Sequence, residues 1–196
     1  NNKFHQSGIK NKYLKQTNKK IGKIEIWYSG VDEKIWTPNK KIKKKLDFLI
    51  YKKFTYDKKI FADVENYLKF KNKSYKILQY GKYSRKEYLE LLRLSKALIF
   101  LSQSESQGIS NFEAWSCNVP TLIYNPGYWI YKNKRYTSNS CPYLSSETGI
   151  YFKNFEDFKK KYITFRQKKF SPRSWIKNKG TIKFSTEKLI KILNLE

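Results

Sequence analysis

Residues 97–124 read ALIFLSQSESQGISNFEAWSCNVPTLIY. Residues 97–101 are an unbroken apolar run, too short for a helix and of the kind that a strand buried on both faces requires. The polar stretch that follows carries Gly108, and residues 111–117 then read as a short helix. Thr121–Tyr124 is a second apolar strand. A strand, a loop, a short helix and a strand follow one another at the pace of an α/β sheet.

The same alternation continues outward. Upstream, residues 24–28, 46–51 and 75–80 read as strands, the last ending at Gly81. Residues 60–70 have helical spacing through Ile60, Phe61, Val64, Tyr67 and Leu68. Ser84, with Glu87 three residues on, is a capping box ahead of Tyr88, Leu91 and Leu92. Downstream, Asn125-Pro126-Gly127 is a turn and Gly149–Phe152 a last strand. Asn154 caps a helix through Phe165, Ser171-Pro172 opens another, and residues 186–195 close the chain as an amphipathic helix. The predicted fold class is α/β: a doubly wound, Rossmann-like parallel sheet with helices on both faces. Ligands of such sheets sit beyond the C-terminal ends of the strands, so functional residues are expected after Tyr51, Tyr80 and Leu101.

The chain's 196 residues suffice for one sizeable domain with a core. It contains no methionine, even at position 1, as expected of a piece of a longer or processed protein. No apolar run has the length of a membrane span. Residues 1–22 are polar, lack the apolar core of a signal peptide, and are expected to be a tether. His5, Cys117 and Cys141 have no metal-ligand spacing. No metal is expected, and reduced thiols in a cytoplasmic setting fit better than a disulfide.

Lys and Arg number 42 against 16 acidic residues, a net charge of +26. Such a field attracts anions, including nucleic acid and anionic lipid. Yet Arg occurs only at 85, 93, 135, 166 and 173, and the abundant Lys, Asn, Ile and Tyr share A/T-rich codons. Codon composition alone could supply much of the charge, and a selected basic surface is the other reading. No nucleic-acid-binding motif accompanies it. A basic nucleic-acid-binding α/β module is the alternative, and residues 40–45 read as a solvated basic face.

Glu105 and Glu113 flank Gly108. The amides of Gly108, Ile109 and Ser110 would be the unsatisfied N-terminal donors of the short helix, where anions bind. Two carboxylates beside an anion site are favourable when each binds hydroxyls. A ligand with a diol and a diphosphate, such as a nucleotide sugar, meets both demands. The plainer alternative is that the glutamates are solvated or complement the helix dipole.

Ser102, Glu105, Gly108, Glu113, Ala114 and Pro120 resemble, in register, the Glu-x7-Glu motif of retaining GT-B glycosyltransferases, the glycosyl transferases group 1 or family 4. Their pattern is roughly S-x-x-E-G-F-G, then E-A-M-A-x-G-x-P. Ser106 and Gln107 replace Gly-Phe, Trp115 replaces Met, Ser116 replaces Ala and Asn118 replaces Gly. Asn is the next-best residue for a left-handed helix end. Residues 29–38, SGVDEKIWTP, resemble the N-G-V-D-x-x-x-F-x-P that begins the C-terminal domain of this family. Lys53 and Lys58 fall where the family has an Arg and a Lys that hold the diphosphate, with Lys52 in the place of a Gly. Gly81, Lys82 and Tyr83 fall in the loop that receives the nucleobase; Tyr83 either stacks on the base or packs internally. Residues 170–178, FSPRSWIKN, resemble a late helix of some relatives.

The resemblance implies that residues 23–196 are the donor-binding domain and that an N-terminal acceptor domain belongs to the same enzyme. The whole enzyme would transfer a sugar from a UDP- or GDP-linked donor to a glycan or lipid-linked acceptor, with retention and without metal, in polysaccharide synthesis. It would be cytoplasmic, with a peripheral contact to anionic membrane. Glu113 would accept hydrogen bonds from the ribose and Glu105 from the sugar. Lys53, Lys58 and the Gly108–Ser110 amides would stabilise charge on the leaving diphosphate. Alone, the domain would bind donor and catalyse little. A catalytically silent scaffold on the same fold is the remaining alternative, admitted by Lys52.

Overall fold

A computed structural model of the chain describes residues 25, 27–54 and 56–193. The expected tether, residues 1–22, lies outside them, as do Ile24 and Ile26. The elements, in chain order, are β1 (Leu46–Lys52), α1 (Lys58–Phe70), β2 (Tyr75–Gln79), α2 (Arg85–Leu94), β3 (Ser95–Leu101), α3 (Ile109–Ser116), β4 (Thr121–Tyr124), β5 (Tyr128–Tyr131), β6 (Lys134–Thr137), β7 (Gly149–Phe152), α4 (Phe155–Gln167), α5 (Pro172–Lys179) and α6 (Ile182–Leu193).

Five strands form one sheet in the order β2-β1-β3-β4-β7, and every pair in it is parallel. Alternation along the strands explains the helices on both faces. Leu49, Tyr51, Leu98, Phe100 and Ile123 share one core with Tyr88, Leu92, Phe112, Trp115 and Ile176 of α2, α3 and α5. Phe48, Ile50, Ile99, Leu101 and Leu122 share the other with Ile60, Val64 and Leu68 of α1 and with Phe158 and Tyr162 of α4. The α/β, Rossmann-like expectation is met.

Local caps set the helix starts. The Ser84 hydroxyl accepts from the Glu87 amide at 3.1 Å, and Asn154 and Asp57 cap α4 and α1 in the same way. At the end of α3, Asn118 has φ 57°, and its amide and that of Val119 donate to Trp115 and Ala114. That is the left-handed stop expected of an Asn in place of Gly. Cys117 and Cys141 are buried free thiols. Burial pushes the Cys117 thiol up to about 12, so it stays protonated.

The structure differs from the expectations in three places. Among residues 24–28, those described (Glu25, Trp27 and Tyr28) are not in a strand. Side chains hold them instead: the Tyr28 hydroxyl donates to the Lys179 carbonyl, and Trp27 Nε1 donates to the Ser185 carbonyl at 2.9 Å. Val31 then makes a parallel bridge to Thr181. Gly30 is needed at this crossing, because a Cβ would sit 2.3 Å from the Thr181 carbonyl oxygen. The last helix starts at Ile182, not at residue 186, because the Thr181 hydroxyl accepts from the Phe184 amide at 3.1 Å. The third is an unforeseen antiparallel hairpin, β5–β6, whose turn residues Lys132 and Asn133 have φ of 46° and 60°. That turn carries no glycine to announce it.

Candidate functional site

The C-terminal ends of β1, β2 and β3 open into a cleft of about 430 Å³. Its walls include Tyr51, Lys53, Tyr80, Tyr83, Glu105, the loop from Ser106 to Ser110, and Glu113. This is where a ligand sits in a parallel sheet of this kind. Backbone bonds carry the side chains there. The Lys53 amide donates to the Leu101 carbonyl at 3.0 Å, so the β1 exit lies beside the loop after β3. The Tyr80 amide donates to the Lys52 carbonyl at 2.8 Å and brings in the β2 exit. The Glu105 amide donates to the Asn139 carbonyl at 3.0 Å, and the Ser102 hydroxyl donates to the Ser104 carbonyl.

Glu105 and Glu113 both face this cleft, but in different electrostatic states. Lys53 Nζ lies 2.7 Å from Glu105 Oε1, and the Glu105 side chain is only 7% exposed. Among the described residues, no hydrogen bond of good geometry reaches that buried oxygen, and the lysine compensates it as an ion pair. Burial raises the Glu105 carboxyl above its ordinary value, and Lys53 opposes the rise. Among the described residues, Glu113 has one long charge contact, 4.0 Å, to Arg85, whose side chain is 77% exposed. Burial, weakly opposed by Arg85, lifts its carboxyl to about 7. A shielded carboxylate with a raised pKa facing a cleft is a candidate ligand-binding group.

Between the two carboxylates, α3 begins at Gly108, which has φ 72° and offers no side-chain cap. A Cβ at Gly108 would also come within 3.2 Å of the Asn111 side-chain nitrogen, so both conformation and space call for glycine. The first-turn donors of α3 border the cleft beside Ile109 and Ser110.

The structure brings Lys53, Tyr83, Glu105, Gly108, Ile109, Ser110 and Glu113 together at the cleft. It does not place Lys58, Gly81 or Lys82 in its walls. Lys58 is exposed at the first position of α1. Gly81 and Lys82 are exposed beyond β2, with Gly81 at φ 79° making the turn. Lys52 points away, its ammonium 4.0 Å from the Phe61 ring centre, so the missing Gly does not crowd the cleft. The Tyr83 hydroxyl lies 2.6 Å from that of Tyr51, and its ring packs against Tyr51 and Tyr88.

Ser29, Gln107 and Arg85 are additional site residues. The Ser29 amide donates to Gln107 Oε1 at 2.9 Å, which ties the GVD segment to the Glu105–Glu113 loop. Gln107 stood out in the sequence only as a departure from Gly-Phe. Arg85 was visible as one of few arginines in a lysine-rich chain. The rest of SGVDEKIWTP is structural: Asp32 makes an Asx turn to the Lys34 and Ile35 amides, and Trp36 is buried. Arg173, of the FSPRSW segment, donates to the carbonyls of Trp36, Ser116 and Glu33 and braces the end of α3.

A larger cavity, about 930 Å³, is separate from this cleft and is lined by Tyr28, Tyr143, Trp175, Lys179 and Lys188 among others, with no carboxylate among the described residues of its wall. Among the described residues, no helix is long and apolar enough to cross a membrane, and no His, Cys, Asp and Glu group suits a metal ion.

The profile of the family described as Glycosyl transferases group 1 matches residues 57–179. Sucrose-phosphate synthase from Thermosynechococcus elongatus is similar in structure, with a TM-score of 0.60 at 10% sequence identity. The similarity covers 95% of this chain and 56% of that one, so this chain spans little more than half the length of that protein. At that identity the likeness concerns the fold. No curated protein matches the sequence.

Proposed function

This chain belongs to the glycosyl transferases group 1 family, and from that premise we propose that it is the donor-binding domain of a retaining glycosyltransferase using a UDP- or GDP-linked sugar. One observation carries the reading: two largely shielded carboxylates, their side chains 7% and 13% exposed, face one cleft at strand C-terminal ends, on either side of an uncapped helix N-terminus. Carboxylates accept hydroxyls and helix amides accept phosphate oxygens. A nucleotide sugar presents hydroxyls at both ends and a diphosphate between them.

In this reading Glu113 accepts from the ribose hydroxyls and Glu105 from hydroxyls of the sugar. Lys53 and the Gly108–Ser110 amides face the diphosphate, with Lys58 as a second cation reaching in from outside the cleft wall. Tyr83 borders the base at the cleft wall, and Gly81 and Lys82 approach it from outside that wall. In the transfer, the bond from the anomeric carbon to the diphosphate oxygen breaks, a bond to an acceptor hydroxyl oxygen forms, and that hydroxyl's proton is released. Preorganised Lys53 and helix amides stabilise the charge that grows on the leaving oxygen. The step calls on no metal. A further domain of the same enzyme supplies acceptor contacts, and the setting is a cytoplasmic one, in polysaccharide synthesis at a membrane surface.

Thermal unfolding with UDP-, GDP- and ADP-sugars is the test. One nucleotide series is expected to stabilise the chain by about 2.7 kcal/mol at a hundredfold excess over its dissociation constant. No stabilisation by any of them, together with salt-sensitive retention on nucleic acid, would instead support a basic nucleic-acid-binding module.

A further inference from the structure

We propose that the β5–β6 hairpin is an acceptor subsite for an acidic glycan, set beside the sugar end of the donor cleft. The inference rests on the donor reading above for its word "acceptor", and on the hairpin itself for the rest.

The hairpin stands outside the five-stranded sheet. It carries a ladder of aromatic rings: Trp129 stacks on Tyr131, with centroids 5.1 Å apart and planes 24° apart, and Tyr136 lies 6.0 Å across from Trp129. On this face Tyr131 is 49% exposed and Tyr136 36%, with Trp129 half-buried beside them. An aromatic face in water is a platform for the C–H face of a sugar ring, apolar in body and polar at its edge. The charge alongside has one sign. Residues 125–146 contain Lys132, Lys134 and Arg135 and no Asp or Glu. Lys134 pairs across from Tyr131 on the face of the ladder and Lys132 sits in the turn, both exposed, while Arg135 is held over Tyr128 at 3.8 Å on the other face. Rings for sugar faces and cations for carboxylates or phosphates describe a glycan bearing anions, and the net charge of +26 draws the same partner.

Placement separates this occupant from an anionic membrane surface, which aromatic and basic groups also suit. The base of the hairpin is stitched to the loop that carries Glu105. The Ser138 hydroxyl donates to the Gln103 carbonyl at 2.7 Å and the Ser140 hydroxyl to the Ser102 carbonyl at 2.8 Å. The Glu105 amide donates to the Asn139 carbonyl. A membrane contact needs no fixed register with Glu105. An acceptor chain does, because its hydroxyl must meet the donor's anomeric carbon.

The test is calorimetric titration of the 196-residue chain with tetragalacturonate, with neutral maltotetraose, and with UDP, beside sedimentation with phosphatidylglycerol vesicles. Two variants are used: Trp129→Ala/Tyr131→Ala and Lys132→Ser/Lys134→Ser. Tetragalacturonate is expected to bind at least fivefold more tightly than maltotetraose. The aromatic variant should weaken it at least fivefold, the lysine variant should abolish the preference for the acid, and both should bind UDP as the parent does, which reports an intact fold. No tetragalacturonate binding, equal binding by parent and aromatic variant, or hairpin-dependent binding to vesicles alone would overturn the proposal. If the parent binds tetragalacturonate through the hairpin but binds no nucleotide in any series, the donor reading falls and the glycan site stands.

Discussion

Glu113→Gln is expected to stabilise the chain above pH 7 while weakening its hold on a nucleoside diphosphate. The stability arm follows from the carboxyl's titration. In the unfolded chain Glu113 loses its proton near 4.5, and in the fold it keeps it to about 7. Between those values the folded state binds more protons, so stability falls as pH rises through that window. The shift corresponds to a cost on the order of 3 kcal/mol once the pH exceeds 7. Gln removes it, so denaturation should show the variant more stable at pH 8 and little different at pH 4. The binding arm runs the other way. A charged acceptor for the ribose contributes roughly 1.5–3 kcal/mol, so affinity for UDP or GDP should drop about tenfold or more. Parent affinity should also rise through pH 7 more steeply than the variant's, a comparison that subtracts the ligand's own titration. Stabilisation without lost binding would make Glu113 a mere burial defect.

Lys53→Met is expected to be the most damaging change to the cleft. It strands Glu105, whose side chain is 7% exposed and whose charged partner is 2.7 Å away. Removing one member of a buried pair typically costs about 3–5 kcal/mol. The loss should be smaller in acid, because burial already raises the Glu105 carboxyl and losing Lys53 raises it further, so the group can go neutral. Adding Glu105→Gln to Lys53→Met should restore most of the stability and leave diphosphate binding weak. UDP binding restored along with the fold would take the phosphate role away from Lys53. Lys58→Ala, at an exposed position, should leave stability unchanged and weaken UDP less than Lys53→Met does.

The fold was legible because each level agreed. The mostly apolar run at 46–51 and the unbroken one at 97–101 are strands with both faces covered, and Ser84 and Asn154 cap helices where they were read. The β5–β6 hairpin was missed because its turn takes left-handed backbone at Lys132 and Asn133, residues that announce it weakly. The segment around Tyr28 was misread because side-chain hydroxyls and the Val31–Thr181 bridge, not a ladder, hold it. In the cleft, the spacing of Glu105 and Glu113 was readable, since the loop and α3 lie between them in sequence as in space. Contacts made between distant segments were not. Ser29 meets Gln107 across 78 positions, and Tyr51 meets Tyr83 across 32. The Tyr51–Tyr83 pair needs β1 and β2 side by side, and the Ser29–Gln107 contact needs the segment around Tyr28 tied back to Lys179 and Thr181.

The most direct test of the donor cleft is calorimetric titration of Glu105→Gln and Glu113→Gln, each with the diphosphate and with the nucleotide sugar of the series that stabilises the chain. Glu113 reads the ribose that both ligands carry, so its variant should weaken both by about tenfold or more. Glu105 reads the sugar that the diphosphate lacks. Its variant should weaken the nucleotide sugar alone, and the diphosphate should bind as before or slightly more tightly, because Lys53 is released from its 2.7 Å pair. Identical behaviour of the two variants, or four affinities equal to the parent's, would contradict the assignment of these carboxylates to the two ends of a nucleotide sugar.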